Sequence, residues 1–91
     1  MTQDKLGERL WKLKLVLDET VEFPTEYLFK FIVPLSEVPH ILYHLNGFEV
    51  TEKPSANGNY VSISAKKIFN ESGEIIKVYR SVSSIKGLIA L

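Results

Sequence analysis

At 91 residues, 45% of them hydrophobic and 24% charged, the chain can build one packed core, is too short for two, and is far from the composition of a disordered segment. Its 11 basic residues balance 11 acidic ones, so no global field draws it to nucleic acid or to an anionic membrane. The absence of cysteine excludes disulfides, thiolate metal sites and cysteine nucleophiles, which leaves packing to hold the fold.

Residues Asp4 to Glu19 carry Leu6, Leu10, Leu13 and Leu17 at helical spacing, with Asp4 placed as a cap, and predict an amphipathic helix. Met1 to Leu6 lack the basic start and apolar run of a signal peptide. No stretch approaches the ~20 apolar residues of a membrane span, so the cytoplasm is the expected location. Phe23-Pro24 breaks the helix, and Glu26 to Val33, rich in aromatic and β-branched residues, reads as the first strand. Pro34 ends that strand. Ser36 then suits an N-cap, Pro39 fits a first helical turn, and Val38, Ile41, Leu42 and Leu45 form an apolar stripe before Asn46-Gly47 closes the helix.

Alternation returns in Phe48 to Lys53 and in Tyr60 to Ile68, with the turn-forming residues Pro54 to Asn59 between them, which predicts a β-hairpin. Ser72 is expected to cap a helix with Ile75, Val78, Tyr79 and Val82 on one stripe. Lys86-Gly87 turns the chain into a short strand from Leu88 to Leu91. The expected organisation is an N-terminal amphipathic helix over residues 1–22 and a βαββαβ domain over residues 23–91. The fold class is then α+β and ferredoxin-like, with a four-stranded antiparallel sheet, its first and third strands central, and two helices on one face.

The stretch FPTEYLFKFIVP, the hairpin SANGNYVSIS and the tail IIKVYRSVSSIKGLIAL together resemble the YbeD-like family of small bacterial proteins of unknown function. The resemblance implies a ferredoxin-like sheet similar to ACT-type regulatory domains, and no known activity. ACT domains use a glycine in the loop after the first strand to bring a ligand to the backbone. Val33-Pro34-Leu35-Ser36 supplies none here.

The same loop lacks the glycine and arginine that an acylphosphatase-type enzyme needs. His40 and His44 stand at i, i+4 with Glu37 one turn earlier, but the stripe lies opposite Val38, Ile41, Leu42 and Leu45, so a solvated face without metal is expected. Ser64-Ala65-Lys66-Lys67 and Ser83-Ser84-Ile85-Lys86 match the S-x-x-K pattern of acyl-transfer enzymes, without the rest of that signature. On a strand, residues three apart point to opposite faces, which separates Ser64 from Lys67. No catalytic residue, cofactor or metal ligand is therefore assigned.

The sheet face opposite the core is the candidate site. With Phe29, Phe31 and Val33 packed against Val61, Ile63 and Ala65, the other face collects Leu28, Lys30, Ile32, Tyr60, Ser62, Ser64 and Lys66, together with Glu49 and Thr51. Two covers suit Leu28 and Ile32. The favoured one is the N-terminal helix, its leucines folded across the face and the Lys30 stem lying along the contact; the other is a second copy of the chain. Trp11, off the leucine stripe, is a further candidate contact. The expected function is a non-enzymatic regulatory, ligand-sensing or protein-interaction module. The alternative is RNA binding on the open face, against which stand the zero net charge and a single aromatic, Tyr60, in register.

Overall fold

The computed structural model describes residues 5–91. Helix α1 spans Lys5–Thr20 and buries Leu10 and Leu17, with Leu6 and Leu13 half-buried on the same stripe. The cap expected at Asp4 lies outside the described residues. At the far end of α1 the Val21 N–H still reaches the Leu17 carbonyl at 3.0 Å, and the Thr20 hydroxyl donates to the Val16 carbonyl at 2.7 Å. The next residues, Val21 and Phe23, pack against the core before the chain enters strand β1, Thr25–Pro34.

A 3-10 turn over Leu35–Glu37 leads into α2, Val38–His44. The helix thus starts later than Ser36 predicted. Glu37 occupies the N-cap without a side-chain cap bond, because the tight turn has already directed residues 35–37 onto the helix path. Gly47, at φ 88°, reverses the chain after α2. Strands β2, Glu49–Pro54, and β3, Tyr60–Phe69, form the expected hairpin. In its loop the Gly58 N–H donates to the Ser55 carbonyl, and Asn57 Oδ1 accepts from Ser55 Oγ and from the Asn59 N–H. Helix α3, Ser72–Val82, is followed by the turn at Gly87 and by β4, Ile89–Ala90.

After α1 the order is βαββαβ, and the sheet runs β2-β3-β1-β4 with every pairing antiparallel. The first and third strands are central, as the sequence predicts. The register sets Phe29 opposite Ala65, Phe31 opposite Ile63 and Val33 opposite Val61, and these six side chains are all buried. The helices meet them through Leu17, Ile41, Leu45, Ile75 and Val82 in one continuous core. At its centre the Phe29 ring lies 4.8 Å from Tyr27, 4.9 Å from Tyr79 and 5.8 Å from Phe69, all edge-on. The Tyr27 and Tyr79 hydroxyls meet at 2.9 Å, and burial followed by that hydrogen bond holds the Tyr79 phenol well above its ordinary pKa.

The structure corrects the expected position of α1. The helix does not cross the open sheet face: it packs against α3 on the core side, and Leu17 joins the main core. Its direction is antiparallel to α3, since Asp18 meets Ser72 at the start of α3 while Leu6 and Leu10 lie beside Val82 at its end. The physical reason is the short connector. Val21 and Phe23 are apolar, and burying them in the core turns α1 onto the helix layer. Lys30 therefore does not snorkel along a helix contact and is simply exposed. Ser72 is also corrected: it is the first helical residue, and its buried hydroxyl donates to Asp18 Oδ1 instead of capping α3. The reach-back at this helix start comes from Glu74, whose Oε1 accepts the Asn70 N–H at 2.7 Å.

Two predictions follow from these contacts. Gly58 at φ 75° has open space around it, whereas a Cβ at Gly87, φ 76°, would sit 2.8 Å from the Pro34 ring. Gly58→Val is expected to lose about 1 kcal/mol or more from backbone strain alone, and Gly87→Ala to lose more than Gly58→Ala, by urea denaturation of the three variants and wild type. Asp18 is held below the usual carboxylate range, first by the Ser72 hydroxyl and then by Lys14, whose Nζ is 2.9 Å from Oδ2. A carboxyl with a lowered folded pKa stabilises the fold above its unfolded pKa, about 3.9, and that contribution is lost as the pH falls through the folded value. Melting curves of Asp18→Asn are expected to be lower than wild type at neutral pH and to converge on it below about pH 4.

Candidate interaction face

Alternation along the strands builds the face opposite the core. On β1 the outward residues are Glu26, Leu28, Lys30 and Ile32; on β3 they are Tyr60, Ser62, Ser64, Lys66 and Ile68; on β2 they are Glu49, Thr51 and Lys53. The register places Leu28 opposite Lys66, Lys30 opposite Ser64 and Ile32 opposite Ser62. Seven of the eight sequence-derived candidates, Leu28, Lys30, Ile32, Tyr60, Ser62, Ser64 and Lys66, thus share one surface. Trp11 does not: it sits on α1 in the helix layer, 60% exposed and turned away from the buried Leu10 and Leu17.

The face is divided. Its β3–β2 half is hydrophilic, carrying Ser62, Ser64, Thr51, Lys53 and a Lys66–Glu49 ion pair at 3.5 Å. With both partners exposed to water, that pair contributes little to stability. The β1–β4 half is mainly apolar, with Lys30 and Glu26 as its charged residues. Ile89 lies opposite Ile32, and the Leu91 N–H donates to the Lys30 carbonyl at 2.9 Å, which brings both Ile89 and Leu91 onto the same side as Leu28 and Ile32. Leu28 is 52% exposed, Ile89 53% and Leu91 70%, so the strip is open to solvent. Ile89, Leu91 and Ile68 were not among the sequence candidates. The final strand is too short to show its alternation by itself, and only its register against β1 decides which side chains face outward.

The strip borders an incomplete sheet edge. β4 pairs with Phe31 and Ile32 alone. Because the Lys30 carbonyl points toward β4, the backbone groups of Leu28 and Glu26 point the same way by alternation, and among the described residues no strand pairs with them.

Glu37 Oε2 contacts His40 Nδ1, and His40 is exposed. Glu37 and His44 are only half-exposed, a departure from the fully solvated stripe expected, because residues 84–86 close over that side of α2. Among the described residues no cluster of three His, Asp or Glu side chains stands close enough to hold a metal ion. Ser64 and Lys67 point to opposite faces, and Lys67 Nζ instead lies 5.2 Å from the Phe48 ring and 5.9 Å from that of Phe69 on the helix side. Among the described residues no helix is long and apolar enough to cross a membrane. In comparisons with known proteins, no family model, no curated protein and no solved structure matches the chain.

Proposed function

We propose that this protein is a non-enzymatic interaction module whose partner is a protein segment in extended conformation. The segment adds to the free edge of β1 beside Leu28 and lays apolar side chains on the strip of Leu28, Ile32, Ile89 and Leu91. The observation that carries this reading is the coincidence of two unsatisfied features: exposed apolar side chains and unpaired outward backbone groups on the same stretch of β1. Strand addition satisfies both, since main-chain hydrogen bonds supply affinity and alternate side chains supply specificity. Of the lysines on this face, Lys30, Lys53 and Lys66, the last is paired with Glu49, and Glu26 lies further along the free edge, so a segment with an acidic residue beside Lys30 and none beside Glu26 is favoured. The βαββαβ order and the resemblance to YbeD-like and ACT-like domains are in keeping with a ferredoxin-like regulatory module of cytoplasmic type; a second copy of the chain is one form the segment takes.

RNA is the competing reading, favoured by Tyr60 at the corner of the face and by the same three lysines. The test compares wild type with Leu28→Glu, Ile89→Glu and the control Tyr43→Ala, an exposed residue on α2. Partner capture from the native host and self-association in sedimentation velocity are the readouts. Leu28→Glu and Ile89→Glu are expected to melt within a few degrees of wild type, because both sites are exposed, while reducing capture or self-association at least tenfold; Tyr43→Ala is expected to change neither. Capture that survives both glutamates would reject the sheet edge. Poly-U retention falling steeply with salt would instead favour RNA.

A further inference from the structure

On the helix side of the sheet, the first half of α1, the end of α3 and the segment from Leu88 to Leu91 border a half-open cavity of about 670 Å³. That volume lies within the ~300–1,000 Å³ common to small-molecule sites. Its side-chain walls are mostly apolar: Leu6, Leu10 and Leu13 come from α1, Val82 from α3, and Leu88 from the segment before β4. The two uncharged polar residues that line it are already engaged, Tyr79 with the Tyr27 hydroxyl and Ser83 with the Arg80 carbonyl. Among the described residues Arg9 carries the single charged side chain lining the cavity, and it makes no ion pair with any described carboxylate. Nor does its own helix offer one: the positions three and four residues away are Lys5, Leu6, Lys12 and Leu13. A lined apolar space with one uncompensated guanidinium at its rim is complementary to a molecule that joins an alkyl chain to one anionic head.

We propose that this cavity binds a free medium-chain fatty acid, with the alkyl chain among Leu6, Leu10, Leu13, Val82 and Leu88 and the carboxylate on the Arg9 guanidinium. The site is separate from the sheet face, although β4 contributes to both, with Ala90 on the cavity side, opposite Phe31, and the Ile89 side chain on the strip. The half-burial of Leu6 and Leu13, against the burial of Leu10 and Leu17 on the same stripe, fits a helix face that leaves room for a guest.

The test uses the full chain, methyl-labelled, titrated with dodecanoate below its micelle concentration and, in parallel, with dodecanol and with anionic lipid vesicles. Dodecanoate is expected to produce saturable shifts in the methyl signals of Leu10, Leu13 and Val82, with no shift at Leu28 or Ile32. Arg9→Gln, an exposed substitution, is expected to weaken dodecanoate roughly tenfold and to leave dodecanol unchanged, since only the charged head loses its partner. Ser83→Trp, which fills the cavity from an exposed helix end, is expected to abolish both while retaining a cooperative melt. The proposal is overturned by an absence of saturable shifts, by equal dodecanoate affinity in Arg9→Gln, or by shifts centred on the sheet face. Vesicle binding without binding of monomeric dodecanoate also overturns it, because the surface would then be reading a membrane.

Discussion

The Phe29 ring is the constraint on which the rest of this structure depends. It is fully buried on a central strand and touches the rings of Tyr27, Phe31, Phe48, Phe69 and Tyr79, so strands β1 and β3, the chain just before β2 and helix α3 all converge on one side chain. Aromatic pairs of this kind are each worth about 0.5–1.5 kcal/mol beyond the area they bury; the Phe31 ring stacks on Phe29 and the other four meet it edge-on. With Phe29, Phe31 and Val33 committed to one side, alternation sends Leu28, Lys30 and Ile32 to the other. A slip of one residue in β1 would exchange the two sets, which is why the register is strongly specified.

The side chosen by α1 then decides what the molecule exposes. A leucine stripe could be buried on either layer. On the helix side, Leu17 enters a core that already exists, Val21 and Phe23 are buried with it, and Asp18 accepts a hydrogen bond from a serine hydroxyl that would otherwise be buried without a partner. Crossing the sheet face would bury Leu28 and Ile32 but would bring the helix over Lys30, Lys66, Ser62 and Ser64, whose polar groups would lose water. Apolar burial is therefore better served on the helix layer, where the facing surface is mostly apolar and Ser72 finds a partner in Asp18. The consequence is a two-layer molecule with one bare sheet face and with a cavity where α1 meets the end of α3 imperfectly.

Strand β4 links these two features. It is two residues long and pairs with β1 at only Phe31 and Ile32, with one further bond from the Leu91 N–H. Ile89, with Leu91 just beyond it, extends the apolar strip, while Ala90 lies on the cavity side. Short edge strands with few hydrogen bonds belong to the low-stability end of a structure, where binding elements are commonly found. Whatever occupies either surface meets the same element.

The sequence by itself determined the secondary elements, the βαββαβ order and the division of residues between the two sheet faces. These are properties of period and turn chemistry, each readable over a few neighbouring residues: the alternation from Tyr27 to Val33, the asparagine and glycine at Asn57-Gly58, the stripe of Ile75, Val78, Tyr79 and Val82. Only the tertiary structure decided which layer α1 joins, that Ser72 bonds to Asp18 across 54 positions, and that Ile89 and Leu91 extend the strip begun by Leu28 and Ile32. The leucine stripe of α1 specifies that the helix must be buried but not against what, because hydrophobic burial is proportional to area and has no direction. The choice was made by contacts between segments distant in sequence, and the exposed strip, the open edge and the cavity at Arg9 all follow from that choice.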